Sequence, residues 1–125
     1  MTHPHAAAVA VFRGEYERIN RDEYSGALPP FPGVTLTDRT DLFSATNTTG
    51  RGAWRRLQPF LLSIHLRGDL LIEAARHEIA HAAALLFDED EGHGPAWQAH
   101  ARRCGARGDV TLDSGHELRA TWVVP

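Results

Sequence analysis

The string His77-Glu78-Ile79-Ala80-His81 sets two imidazoles and a carboxylate at the spacing that zinc-dependent peptidases use. On a helix, residues four apart lie on one face, one turn from each other. His77 and His81 can therefore grip a single ion while Glu78 reaches the water that ion carries. Zinc lowers the pKa of such a water to near neutrality, and a carboxylate beside it takes the proton as the oxygen attacks a carbonyl. The expected cofactor is Zn2+, and the expected chemistry is peptide-bond hydrolysis with Glu78 as general base. Eight histidines are many for 125 residues, and histidine is the side chain best able to bind divalent transition metals.

Two histidines and a water leave a tetrahedral zinc one protein ligand short. A metzincin would carry a histidine six positions after His81, where this chain has Phe87. A thermolysin-like enzyme would use a glutamate on a second helix well downstream; only Glu117 is far enough away, and its segment reads as loop or strand. His93 follows an eleven-residue gap, and a turn at Gly92 would carry it back beside His77 and His81. The positive end of the helix that starts behind it disfavours imidazolium and keeps the ring neutral for coordination. His93 is the expected third ligand, against the plainer alternative of an exposed loop histidine beside a coincidental string.

These groups need elements to hold them. Val9, Phe12, Tyr16 and Ile19 recur at helical spacing and predict an amphipathic helix from Ala6 to about Tyr24, stopped by the Pro-rich stretch Leu28 to Gly33. Val34 to Thr37 alternates as a strand, Leu42 to Thr48 reads as a second, and Thr49 to Trp54 as a turn or hairpin end. Phe60 to Leu66 is apolar enough to be the central strand of a small sheet, expected to be mostly antiparallel and three-stranded. Asp69 is a good N-cap for a long helix from Leu70 to about Phe87, which carries the HExxH string within it. After the acidic loop Asp88 to Gly92, Gly94-Pro95 opens a shorter helix that ends near Cys104, with Gly105 as its stop. Val110 to Leu112 and Leu118 to Val124 have weak strand character.

At these residues the chain resembles the SprT-like metalloproteases, the family of Spartan. The string at 77 to 81, followed by a short loop and then His93-Gly94-Pro95-Ala96-Trp97, looks like that family's HExxH…HGxxW pattern. Tyr16-Glu17-Arg18-Ile19-Asn20, Tyr24 and Leu28-Pro29 resemble its opening helix and the aromatic, then Leu-Pro, step that follows; Ile64-His65-Leu66 falls where the family has its last strand before the zinc helix. The likeness covers roughly residues 10 to 107, leaving 108 to 125 as a C-terminal extension of one domain. It implies His77, His81 and His93 as zinc ligands and Glu78 as general base, on an α+β, zincin-like minimal metalloprotease domain. It also implies protein substrates that are bound or crosslinked to DNA. A zinc ribbon, a basic tail and a partner-binding linker, which Spartan-type proteins use for DNA or recruitment, are not found in these 125 residues.

Several further residues lie near this pattern. Glu73, one turn before His77, could orient that imidazole or be an ordinary helix-surface carboxylate. Trp97 could wall the site or pack in the core, and His100, on roughly the same face, could reach the cleft or stay at the surface. Arg51, Trp54, Arg55 and Arg56 form one basic cluster with an aromatic in it, a surface on which single-stranded DNA bases could stack, or simply a soluble hairpin. The net charge of −3 gives no whole-protein pull toward nucleic acid or anionic membrane, so any DNA contact must be local. No apolar run approaches the roughly 20 residues that span a bilayer, and Ala6 to Phe12 lacks a basic leader, so the expected location is the cytoplasm. A single cysteine, Cys104, excludes an internal disulfide framework and reads as a packed helix-end residue. Two other readings compete: a non-catalytic zinc module that recruits a partner, and an ImmA/IrrE-like regulatory peptidase, which would not call for the His93 to Trp97 segment.

Overall fold

The computed structural model describes residues 5–107, so the strand character expected beyond Gly108 lies outside the described residues. The architecture is α+β, with three helices and a small mixed sheet. Helix α1 runs Ala6–Tyr24 and buries Phe12, Tyr16, Ile19 and Tyr24, the apolar face that its spacing predicted. Ser25, in the left-handed region, ends it. Asn20 then makes a reciprocal pair with Leu28, its Nδ2 donating to the Leu28 carbonyl at 3.2 Å and its Oδ1 accepting the Leu28 amide at 2.9 Å. The Tyr16 hydroxyl donates to the Pro29 carbonyl at 2.6 Å, so the Leu-Pro step is tied down on α1.

Strands β1 (Val34–Thr37), β2 (Ser44–Ala45) and β5 (Phe60–Ser63) form one sheet in the order β1-β5-β2, with β5 central as expected. The sheet is mixed rather than mostly antiparallel: β1 runs parallel to β5, pairing Val34 with Phe60, and only β2 is antiparallel. More than a dozen residues separate β1 from β5, enough for the chain to return to the same end of the sheet. The second expected strand is divided. Its first part is β2, and its last residue begins β3 (Thr48–Thr49), which pairs with β4 (Arg56–Leu57) in a separate two-stranded ribbon. A single 3₁₀ turn, Gly52–Trp54, sits in that hairpin. Gly50 is required there, because its φ is +80° and a Cβ would overlap the Trp54 carbonyl.

Strand β5 stops at Ser63, short of the expected Leu66, because the Ser63 side chain turns the chain: its hydroxyl donates to the Arg39 carbonyl and accepts the His65 amide. Helix α2 then spans Gly68–Asp88. Its N-cap is Arg67 and not Asp69, which lies inside the first turn, where its charge favours the positive end of the helix. The α2 face is rich in alanine, with Ala74, Ala75, Ala80, Ala82, Ala83 and Ala84 fully buried, and this lets neighbouring elements approach closely on several sides. Helix α3, Pro95–Cys104, packs on it with Pro95 at the start and Gly105 in the left-handed region at the end. The remaining core lies between α1 and the sheet, where the rings of Phe12 and Phe60 are 4.7 Å apart and Tyr16 meets Phe31 at 5.3 Å. Among the described residues, no helix is long and apolar enough to cross a membrane.

Candidate metal centre

His77 and His81 stand one turn apart on α2, with exposures of 0 % and 6 %. The chain leaves α2 through Glu89, which takes a left-handed conformation, and the Asp90 amide donates back to the Ala84 carbonyl. The Asp90 carboxylate accepts the Gly92 amide at 3.1 Å, completing the turn. His93 is thereby delivered beside the helix, where Gln98 Nε2 holds its carbonyl at 2.9 Å. Its Nε2 lies 3.1 Å from His81 Nε2 and 3.3 Å from His77 Nε2. The three rings can thus each aim one nitrogen at a common point, with all three ligand atoms within 4.8 Å of one another.

That spacing fits a metal. Two nitrogens held about 2.0–2.1 Å from a tetrahedral zinc stand about 3.3 Å apart. Bare imidazole nitrogens at such distances oppose their lone pairs, and one proton cannot satisfy both close approaches well, whereas a cation at the common point satisfies all three. Among the described residues, the group close enough to share an ion consists of these three histidines.

Trp97, fully buried on α3, backs the cluster. Its ring centroid lies 4.8 Å from His77, 5.3 Å from His81 and 4.7 Å from His93, and its Nε1 donates to the His77 carbonyl at 3.4 Å. Wall of the site and core residue are here one role.

Glu78 is 1 % exposed and points to the sheet edge rather than into the helix core. Ser44 Oγ donates to its Oε2 at 2.7 Å, and Thr46 Oγ1 to its Oε1 at 2.6 Å. All three side chains line a cleft of about 420 Å³ between the 42–48 segment and α2, into which His81 also opens. No motif in the sequence marks Ser44 and Thr46. Their spacing of two residues in an extended segment, placing both side chains on one face, was the available signal.

Two expected neighbours of the site are turned elsewhere. Glu73 is 9 % exposed, so it is not a surface carboxylate, and its Oε1 accepts the Arg107 amide at 2.6 Å, fastening the chain that leaves α3. His100 does not line the cleft. Its Nε2 donates to Asp88 Oδ2 at 2.7 Å, and its Nδ1 lies 2.6 Å from the Tyr24 hydroxyl on the other side. Arg51, Trp54, Arg55 and Arg56 lie together on the β3–β4 hairpin, with Trp54 77 % exposed. Arg55 is partly engaged, donating through Nη1 to Thr48 Oγ1 at 2.7 Å.

The SprT-like family model matches residues 16–116, which includes both α2 and the His93 to Trp97 segment. The chain belongs to the SprT-like family. No curated protein and no solved structure gave a match. Family and geometry together indicate a metalloprotease-type domain whose three clustered histidines could hold a metal ion.

Proposed function

We propose that this SprT-like domain is a zinc-dependent endopeptidase on a zincin-like fold, with His77, His81 and His93 as the metal ligands and Glu78 as general base. The observation that carries the reading is the approach of His93 Nε2 to the other two imidazole nitrogens at 3.1 and 3.3 Å, beside a buried glutamate that opens on a cleft. Bound there, zinc would polarise the peptide carbonyl and bring the pKa of a water near neutrality. Glu78 would take the proton of the attacking water as the water's oxygen bonds to the carbonyl carbon, and would deliver it to the amine nitrogen as the C–N bond breaks. Trp97 holds the imidazoles in place and keeps solvent from their inner side.

Among the described residues the group has three histidines, the ligand number of a catalytic zinc that keeps a position for water. The family resemblance extends the proposal to proteins bound or crosslinked to DNA. The hairpin with Trp54, Arg51, Arg55 and Arg56 follows directly from the cleft-lining segment and offers an exposed indole beside guanidinium groups for single-stranded DNA.

The test is a proteolysis assay on a DNA-binding protein, with zinc, with and without single-stranded DNA, using Glu78→Gln as the blank. Cleavage that DNA stimulates supports the full reading. Cleavage indifferent to DNA removes the DNA-directed part and leaves the chemistry; absence of cleavage in both arms contradicts the endopeptidase.

A further inference from the structure

Resting on that reading of Glu78, we propose that Ser44 and Thr46 are positioning residues for its carboxylate, so that the orientation of the base is set by the sheet edge and not by its own helix. Each carboxylate oxygen receives a different hydroxyl, Oε2 from Ser44 at 2.7 Å and Oε1 from Thr46 at 2.6 Å. A glutamate side chain has three soft torsions, the last of them broad. Two donors from a second element, one on each oxygen, remove that freedom. A hydroxyl that donates to an ionised carboxylate makes a bond roughly twice as strong as a neutral one.

The anchoring element is itself fixed. Ser44 is in register with Leu62 and Ala45 with Leu61 on the central strand, and the Ser63 amide donates to the Phe43 carbonyl at 2.8 Å. Thr46 Oγ1 also lies 2.9 Å from the Glu78 main-chain carbonyl, so the same residue contacts both helix backbone and side chain. This contact falls where the expected long strand breaks between β2 and β3.

The test compares wild type with Ser44→Ala, Thr46→Val, the double variant and Thr46→Ser. Thr46→Val keeps the β-branched shape and removes the donor; Thr46→Ser keeps the donor. Zinc content, steady-state hydrolysis of an unstructured protein and a crystal structure are measured for each. Ser44→Ala and Thr46→Val should each lose about 10–100-fold in kcat with KM within about twofold and zinc content unchanged, while Thr46→Ser stays within about threefold of wild type. The Glu78 carboxylate should take a new orientation in the double variant and keep its own in Thr46→Ser. Unchanged or raised kcat in the donor-less variants overturns the proposal, as does a carboxylate unmoved in the double variant. Should Thr46→Val not fold, Ser44→Ala gives both readouts alone. A wild type without hydrolysis, in a set whose double variant shows the carboxylate displaced, counts against the peptidase and upholds the positioning.

Discussion

The indole of Trp97 stands perpendicular to the imidazole of His93, ring centroids 4.7 Å apart and planes at 90°. An edge-to-face pair of this kind is favourable and directional. It links the one metal-site histidine that is not on α2 to a residue wholly inside the core. Packing and metal binding should therefore fail together. Trp97→Ala is expected to cost about 3–5 kcal/mol in urea unfolding and to weaken zinc by about tenfold or more in competition with a chelating dye. Trp97→Phe should be milder in both.

The three histidines come from α2 and from the loop before α3, which the ion would join, so zinc should stabilise the fold by mass action. At about a hundredfold excess over Kd the gain is about 2.7 kcal/mol, a rise in Tm on the order of 10 °C for a domain of this size. A chelator should reverse it. His77→Ala, His81→Ala and His93→Ala should each lose most of that rise in a thermal melt while keeping the far-ultraviolet helix signal.

Glu15 on α1 accepts Arg76 Nε of α2 at 2.6 Å and Arg18 Nε at 3.2 Å. Burial raises its pKa, but the hydrogen bonds and charges of Arg18 and Arg76 outweigh that and hold the carboxyl below its ordinary 4.5. A depressed folded value means the folded state binds fewer protons, so this contribution is present above 4.5 and lost as the pH falls through the lowered value. The stability difference between wild type and Glu15→Gln should be largest at neutral pH and shrink toward zero in acid, read from urea midpoints across the range.

Cys104 is 2 % exposed at the end of α3, and burial pushes its thiol up to about 11, with the Tyr24 hydroxyl 3.7 Å away opposing that in part. Both the access and the thiolate that alkylation needs are missing. Iodoacetamide at mildly alkaline pH should leave the folded protein unmodified and label it once denatured, as mass spectrometry would show.

The helices were legible because their signals are local. The Phe12, Tyr16, Ile19 face gave α1, and Pro95 with Gly105 bracketed α3. The return of His93 to the side of His77 and His81 was legible too, since a turn at Gly92 carries the chain back there. The pairing of β1 with β5 was not, because which strand lies beside which depends on the path of the whole intervening chain. Helical period assigns a face but not a partner, so it leaves two roles open for both Glu73 and His100; the bonds of Glu73 to Arg107 and of His100 to Tyr24 and Asp88 come from other parts of the chain. Ser44 and Thr46 are ordinary strand residues in sequence; only the approach of β2 to α2 gives their hydroxyls a carboxylate to hold.

The central claim is that Glu78 acts on a water at a metal held by three histidines, and the most direct measurement is the hydrolysis rate of zinc-loaded Glu78→Gln against zinc-loaded wild type at equal metal content. Glutamine keeps the shape of the side chain and removes the base. One zinc per chain is expected in both proteins, with a rate at least about 100-fold lower in the variant. A Glu78→Gln protein that cleaves as fast as wild type would contradict it.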